Sequence, residues 1–294
     1  MNLMDNKTRS SQELLFNPDS HSWLNQISNP PQKLFYRGCL DPLMSPCFSI
    51  VGTRRPSSYG IKSAIFFAKQ LASLGFTIVS GLARGIDSYA HRGALMAQGK
   101  TVAVLGHGLS RIYPPENSNL SREIVDKGGC LISEYSWNEP PLKHHFPERN
   151  RIISGFSVGT LIIEAAEKSG SLITARLALE QNREVFVIPS RFDDESFRGG
   201  NRLLQEGAKM VLKIEDILEE IPRNLWEFSV IKNIEGNRFE ELRELFESED
   251  GSLSLDFLYS LAKQKRERMV KDLEAALGEQ RVLELSPQHF IWIN

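Results

Sequence analysis

The sequence predicts an α/β fold with a mostly parallel β-sheet, followed by a small C-terminal domain of another kind. Short apolar runs alternate with amphipathic stretches of helical spacing at least five times between residues 48 and 208, as in βαβ units. At 294 residues a single core approaches its upper size, so a large domain with a smaller one is expected. From about residue 235 helical stretches precede a short hairpin.

The α/β elements follow one another along the chain. The predicted strands are FSIV (48–51), FTIVSG (76–81), TVAVLG (101–106), CLISEY (130–135), VGTLIIEA (158–165) and EVFVIP (184–189). The predicted helices are IKSAIFFAKQLASLG (61–75), DSYAHRGALMAQG (87–99), SREIVDKGG (121–129), SLITARLALEQN (171–182) and GNRLLQEGA (200–208). Residues 1–47 contain a Pro-Pro pair and predict an irregular N-terminal arm that ends in the apolar run 34–36.

The C-terminal stretch has the element order of a winged helix. Helical stretches at 239–246, 254–262 and 264–280 precede RVLEL, a Ser-Pro-Gln turn and HFIWI, which predict a hairpin. The expected domains are an arm (1–47), the α/β domain (48–215), an acidic and partly helical linker (216–235) and a winged-helix-like domain (236–294).

Composition excludes several classes of protein. Hydrophobic residues make up 41% and charged residues 24%, which argues against disorder as the dominant state. No stretch approaches ~20 consecutive apolar residues, so no membrane span is expected. The N-terminus has no apolar signal core, and Cys39, Cys47 and Cys130 form neither a zinc pattern nor a disulfide framework. A cytoplasmic location is therefore expected.

The net charge of −2 hides an uneven distribution. Residues 48–213 contain 21 Lys and Arg against 15 Asp and Glu, a balance of +6, whereas the remainder has 14 against 22, a balance of −8. Several of these cations fall in loops that follow predicted strands. Because ligands of open α/β sheets bind outside the carboxyl ends of the strands, these loops are the candidate site.

Two of these loops carry arginine and glycine. The loop GTRRPSSYG (52–60) precedes a helix, and amides at a helix N-terminus and guanidinium groups both favour phosphate oxygens. We expect an anion site there rather than a solvated turn. The loop SGLARGID (80–87) adds Arg84 and two glycines that permit close backbone approach. Asp87 is expected to cap the next helix, and His91 to pair with Asp87 on the helix surface.

Two further loops have a mixed character. The loop WNEPPLKHHFPERN (137–150) interleaves aromatic residues with cations, which suits single-stranded nucleic acid. Packing of Phe146 into the core would explain the composition of this loop equally well. Adjacent histidines lack metal-ligand spacing, and no metal or cofactor is expected. The segment SGS (169–171) predicts an anion site at a helix start, with Ser169 or Ser171 as the N-cap residue.

In this order, the motifs resemble the DprA/Smf family of DNA-processing proteins. The resemblance covers about residues 34–211. It rests on IVGTRRPSSYG (50–60), VSGLARGIDSYAHRGAL (79–95), TVAVLGHGLSRIYPPENSNL (101–120), LISEY (131–135), FPERNRIISGFSVGTLIIEAAEKSGSLITARLALEQNREVFVIPS (146–190) and GGNRLLQEGA (199–208).

The resemblance implies an extended Rossmann-like domain and a non-enzymatic function. Members of this family bind single-stranded DNA, protect it during natural transformation and load a RecA-type recombinase onto it, commonly as homodimers. By position, the resemblance implies nucleic-acid contacts and no catalytic residue. These contacts are Gly52, Arg54, Arg55, Gly81, Arg84, Gly85, Lys143, Phe146, Asn150, Arg151, Gly170, Ser171 and Arg176. Such binding would be salt-sensitive and largely independent of base sequence.

Two other functions stay open. Gly159, Thr160 and Glu164 resemble an element of Rossmann-fold nucleotide hydrolases, without the preceding Pro-Gly-Gly of that family. Release of free base from a nucleoside monophosphate would indicate such an enzyme. Cations between Lys263 and Lys271 fit a winged-helix transcription regulator, although a solvated or protein-binding helix face is preferred. Preference for a specific duplex over a poly-T strand would indicate the regulator.

Overall fold

The computed structural model describes residues 12–15, 22–222, 225, 252–254, 282–286 and 289–292. These residues fall into two compact units. The first contains the described residues of 1–72 and 76–220, and the second contains those of 73–75 and 221–294.

The first unit alternates strands with helices. Its strands are β1 (Gln12–Leu15), β2 (Lys33–Gly38), β3 (Cys47–Gly52), β4 (Thr77–Ser80), β5 (Thr101–Leu105), β6 (Cys130–Ser133), β7 (Ser157–Ile163), β8 (Glu184–Val187) and β9 (Lys209–Met210). Its helices are α1 (Ser22–Asn25), α2 (Ser58–Ser73), α3 (Ile86–Met96), α4 (Ser118–Asp126), α5 (His145–Phe156), α6 (Ser171–Glu180), α7 (Arg198–Gln205) and α8 (Glu215–Leu218). All six strands and five helices predicted for the α/β domain are confirmed.

The strands form one sheet in the order β1-β2-β6-β5-β4-β3-β7-β8-β9. Along this order, each strand between β6 and β9 pairs parallel with its neighbours in the sheet. In contrast, β2 pairs antiparallel with β6, and β1 pairs antiparallel with β2. The chain progresses in one direction from β3 to β6 and then returns to the other side of β3 for β7. This reversal places a topological switch point between β3 and β7, where ligands of open α/β sheets usually bind.

The central strands are buried on both faces, which explains their continuous apolar runs. All seven residues of β7 are buried, as are the first five of β3. The Phe48 ring of β3 contacts those of Phe76 and Phe186, with ring centroids 6.1 and 5.7 Å apart. A Cβ on Gly159 would lie 2.8 Å from the Phe186 ring, so this glycine serves core packing.

Parts of the predicted N-terminal arm and of the predicted 137–150 loop are regular structure, and β1 and α1 also lie in the arm. Residues 33–38 are not irregular: they form β2, whose Tyr36 pairs with Ile132 of β6. The segment 137–150 is not a loop throughout, because α5 begins at His145. Pro147 hides this helix from a sequence pattern, although proline is tolerated in a first turn, where no partner for its missing N–H is needed.

The second unit contains a three-stranded antiparallel sheet. Its strands β10 (Ser252–Ser254), β11 (Val282–Ser286) and β12 (His289–Trp292) have the order β10-β12-β11. The predicted C-terminal hairpin is therefore confirmed. The helical stretches predicted at 239–246, 254–262 and 264–280 lie outside the described residues, except for Ser254 at the end of β10.

Candidate functional site

A pocket of about 240 Å³ lies at the carboxyl ends of β3, β4 and β5, beside the start of α5. It brings four guanidinium groups and two aromatic rings together at one edge of the sheet. Its lining residues are Arg54, Arg55, Gly81, Ala83, Arg84, Tyr113, Pro114, Phe146 and Arg149. Five of them belong to the set that the resemblance implies: Arg54, Arg55, Gly81, Arg84 and Phe146.

The aromatic side of the pocket is formed by Phe146 and Tyr113. Their ring centroids are 5.9 Å apart at an interplanar angle of 40°, and the guanidinium carbon of Arg54 lies 5.7 Å from the Phe146 ring centroid. Phe146 is half-buried, and its ring faces Gly106 on the protein side, where an added Cβ would lie 2.9 Å from it. Phe146 thus packs against the fold and still lines the pocket.

Arg149 forms the floor of the pocket, although it is not among the contacts that the resemblance implies. Its side chain is 4% exposed, and Nη1 donates to the carbonyl oxygens of Gly81, at 2.8 Å, and Val104. Burial lowers the pKa of this guanidinium to about 10, while nearby Asp87 opposes that shift. Among the described residues, no partner accepts a hydrogen bond from its buried Nε. The available indication was its place in FPERNR, beside the named Asn150 and Arg151.

Asp87 does not cap its helix, which corrects the sequence prediction. The N-cap residue of α3 is Gly85, and no side chain caps it. The Asp87 carboxylate is buried and accepts hydrogen bonds from the amides of Gly81, at 3.1 Å, and Ala83, at 3.4 Å. Burial raises its pKa, against the opposing charge of Arg149. Asp87 therefore orders the loop after β4, which lines the pocket.

His91 is not on the helix surface with Asp87, which corrects a second prediction. Its side chain is fully buried, and Nδ1 is hydrogen-bonded to the Thr101 hydroxyl at 2.7 Å. Burial, reinforced by the charge of Arg149, lowers the pKa of His91 to about 3. The imidazole is therefore neutral and belongs to the interior.

The cations at the rim of the pocket differ in their partners. Arg54 and Arg55 are exposed, whereas exposed Arg84 forms an ion pair with Glu116 that raises the pKa of Arg84 and lowers that of Glu116. Lys143 is exposed two residues before α5 and is not a lining residue. The rim therefore presents cations to solvent beyond the pocket itself.

Glycines let the two arginine-bearing loops approach each other. Gly85 has φ +77°, and an added Cβ would lie 2.3 Å from the Thr53 carbonyl oxygen. The Ile86 amide donates to that same oxygen at 3.1 Å. Gly52 lies against Ile163, whose carbonyl oxygen would be 1.8 Å from a Cβ. Gly52 and Gly85 therefore allow close packing of the backbone against Ile163 and Thr53.

Asn150 and Arg151 lie outside the pocket lining. Arg151 forms an ion pair with Glu134 at 2.6 Å and donates from Nε to the Asn29 carbonyl oxygen at 2.9 Å. Its side chain is 13% exposed. Asn150 donates from Nδ2 to the Gly170 carbonyl oxygen at 3.5 Å, which connects α5 to the start of α6.

The start of α6 also lies apart from the pocket lining. Its N-cap residue is Gly170, so neither Ser169 nor Ser171 is the cap that the sequence predicts. The hydroxyls of these two serines are hydrogen-bonded to each other at 2.7 Å. Arg176 is exposed on α6.

The residues that resemble a hydrolase element are engaged within the protein. Thr160 is fully buried, with its hydroxyl 2.7 Å from that of Ser49. Glu164 is 3% exposed, and its carboxylate accepts hydrogen bonds from Ser57. Neither side chain is presented to a substrate in this structure.

Within 12–15, 22–222 and the shorter described segments, no group of three or more His, Cys, Asp or Glu is placed to hold a metal ion. In that same part of the chain, every helix is too short or too polar to cross a membrane.

Fold and pocket together define a doubly wound α/β protein with an arginine-rich, aromatic site at the carboxyl edge of its sheet. Residues 14–222 match the family described as DNA recombination-mediator protein A, and the chain belongs to this family. The resemblance noted in the motifs is thereby confirmed.

Relatives in this family are similar over about two thirds of the chain. Protein Smf of Escherichia coli is 47% identical over 191 residues, which cover 65% of this chain and 51% of that protein. The DNA processing protein DprA of Bacillus subtilis is 44% identical over 201 residues, which cover 68% and 67%. The match thus spans about half the length of Protein Smf.

Two solved structures share the fold. DprA of Streptococcus pneumoniae superposes with a TM-score of 0.67 at 42% identity, covering 74% of this chain and 75% of that one. DNA processing protein A of Helicobacter pylori superposes with a TM-score of 0.65 at 33% identity, covering 72% and 95%. The latter structure is described as giving insight into the single-stranded DNA binding mode of that protein.

Proposed function

We propose that this protein binds single-stranded DNA at the pocket between the β3, β4 and β5 loops and α5. The observation that carries the proposal is the convergence of Arg54, Arg55, Arg84 and Arg149 with the rings of Phe146 and Tyr113. Guanidinium groups bind phosphate oxygens, and aromatic rings stack on unpaired bases at about 1–3 kcal/mol per base. A duplex keeps its bases stacked inside, so this combination favours a single strand.

The residues outside the pocket extend the proposed contact surface. Lys143 is exposed just before α5, and the bond between Asn150 and Gly170 joins α5 to α6, where Ser171 and Arg176 lie. We assign these residues, with Arg151, to the flanks of the DNA path. Gly52, Gly81 and Gly85 are assigned to the backbone approach that brings the loops together.

The proposed role in the cell follows the family. The protein protects incoming single-stranded DNA and loads a RecA-type recombinase onto it during natural transformation or recombination, in the cytoplasm and without catalysis. It acts as a homodimer, in which two pockets on one long strand would raise the overall affinity by effective concentration. The membership in a recombination-mediator family supports this role.

We also propose that residues 236–294 form a winged-helix domain. The antiparallel pairing of β11 with β12 supports it, since a terminal hairpin is the wing of that fold. Circular dichroism of the isolated segment tests the helix content, and a spectrum dominated by strand would contradict it.

The DNA-binding proposal is tested by fluorescence anisotropy with a labelled poly-T oligonucleotide and a duplex of equal length. We expect tighter binding of the single strand and a linear fall of log K with log salt. Arg54→Ala and Lys143→Ala are each expected to weaken binding about tenfold, because each removes a charged contact to phosphate. Arg92→Ala, which removes an exposed arginine of α3 outside the lining, is the matched control.

Two results would contradict the proposal. The first is an affinity that is unchanged in Arg54→Ala, Lys143→Ala and their double variant at moderate salt. The second is an affinity for the duplex that equals the affinity for the single strand.

A further inference from the structure

Glu164 occupies the topological switch point of the sheet. It is the first residue after β7, its side chain is 3% exposed, and its backbone has φ +51°. A left-handed conformation at a non-glycine residue is strained and persists only where the surroundings hold it. A buried carboxylate likewise requires hydrogen-bond donors. Both features indicate that this side chain has a specific task.

The carboxylate of Glu164 is bound at the beginning of α2. The Ser57 amide donates to Oε1 at 3.0 Å and to Oε2 at 2.8 Å, and the Ser57 hydroxyl donates to Oε2 at 2.8 Å. A Cβ on Gly60 would lie 2.2 Å from Oε2, so glycine at 60 leaves room for the carboxylate. In such sheets, the N-terminus of the helix that follows the first parallel strand, here β3, usually receives a phosphate.

The backbone of Glu164 holds the other end of the same loop. Its carbonyl oxygen accepts a hydrogen bond from the Thr53 amide at 2.9 Å. Thr53 and Ser57, the two residues bonded to Glu164, lie on either side of Arg54 and Arg55. Glu164, directly after β7, therefore fixes both ends of the loop that carries these arginines.

We propose that Glu164 is a positioning residue for DNA binding, whose carboxylate takes the place of a phosphate at the start of α2. The carboxylate holds Arg54 and Arg55 toward the neighbouring pocket. It also closes the switch-point crevice to nucleotide phosphates, so DNA phosphates bind in the neighbouring pocket instead. This inference rests on the proposed single-stranded DNA binding.

The sharpest test is Glu164→Gly, because glycine adopts φ +51° without strain while it removes the carboxylate. The matched control is Gln98→Gly, an exposed non-glycine residue with φ +56°. Anisotropy with a labelled poly-T oligonucleotide gives the affinity, and thermal melting gives the stability. Each is measured in sodium chloride and in sodium formate at equal ionic strength, since formate is a carboxylate small enough to enter the vacated space.

We expect Glu164→Gly to weaken DNA binding about tenfold, with formate recovering about threefold of that loss. Formate should also raise the melting temperature of Glu164→Gly. It should do neither in the wild type, Gln98→Gly or Lys143→Ala. A Glu164→Gly affinity within twofold of the wild type, or a loss that formate does not reverse, would overturn the inference. A folding defect unrelated to the vacated carboxylate site would not respond to formate.

A second variant covers the case in which Glu164→Gly does not fold. Glu164→Gln keeps the size of the side chain but offers one acceptor and turns an amide group toward the Ser57 donors. We expect about threefold weaker binding without formate recovery, because no space is vacated. Wild-type affinity in Glu164→Gln would overturn the inference. If the wild type itself fails to bind the oligonucleotide, the proposed function fails, while the formate-dependent melting temperature still reports on Glu164.

Discussion

Arg149 lies directly against Gly81: its Nη1 donates to the Gly81 carbonyl oxygen at 2.8 Å, and a Cβ on Gly81 would lie 2.5 Å from Nη2. The buried guanidinium is therefore held by the backbone of the β4 loop on one side and by Val104 of β5 on another. This packing places a cation under the pocket, in contact with the loop that carries Arg84.

Replacing Gly81 with alanine should displace the Arg149 guanidinium. The added methyl group needs space that Nη2 occupies, so we expect the free energy of unfolding to fall by about 1–3 kcal/mol. Urea denaturation measures this change. Gly170→Ala is the matched control, because a Cβ there meets nothing within 4 Å, and its stability should stay within about 0.5 kcal/mol of the wild type. Equal stabilities of the two variants would contradict the packing argument.

Arg151→Ala separates a structural role from DNA contact. The Arg151 guanidinium pairs with Glu134, whose side chain is 27% exposed, and its loss leaves a partly buried carboxylate without this partner. We expect the free energy of unfolding to fall by about 1–3 kcal/mol, with a smaller loss of DNA affinity than in Arg54→Ala. Urea denaturation and anisotropy measure the two effects. Unchanged stability with a loss of affinity equal to that of Arg54→Ala would show that Arg151 acts through DNA contact and not through its ion pair with Glu134.

His91 should make stability depend on pH. Burial, together with the charge of Arg149, lowers its pKa from 6.5 to about 3, so the unfolded chain takes up the proton first as the pH falls. Its contribution to the free energy of unfolding is present above pH 6.5 and is lost as the pH falls toward 3. Between about pH 7.5 and about pH 5 this loss amounts to ~2 kcal/mol.

The variant His91→Gln removes this titration, and urea denaturation at both pH values should show a shallower fall than in the wild type. His107, whose pKa is also lowered by burial, acts in the same direction, so the fall should not vanish. His144→Gln replaces an exposed histidine and serves as the matched control. Identical pH profiles for His91→Gln and the wild type would refute this account of His91.

Glu116→Gln should tighten DNA binding by releasing Arg84 from its ion pair. The freed guanidinium can contact phosphate, so we expect the affinity for DNA to rise about two- to threefold. The slope of log K against log salt concentration should become steeper by up to about one. Anisotropy titrations at several salt concentrations measure both quantities. Glu123→Gln removes the same charge from an exposed residue of α4, and an equal gain there would show a general charge effect instead.

The α/β architecture and the edge of the sheet at which the site lies can both be predicted from local sequence patterns. Strands β3 to β8 are apolar runs because both of their faces are buried, and burial of that kind is visible as local composition. Arg54, Arg55 and Arg84 follow two of these strands, so their convergence at the carboxyl edge could be expected before any coordinates.

Which polar residues are internal depends on tertiary contacts that local sequence patterns do not report. Arg149 reaches Val104, 45 residues earlier, and Glu164 reaches Ser57, 107 residues earlier. Hydrophobic periodicity predicts which face of a helix or strand is buried. The contacts of Arg149 and Glu164 depend instead on which loops the strand order places side by side. For the same reason Asp87 and His91 suggested a surface pair, until packing against β4 and β5 showed both to be buried.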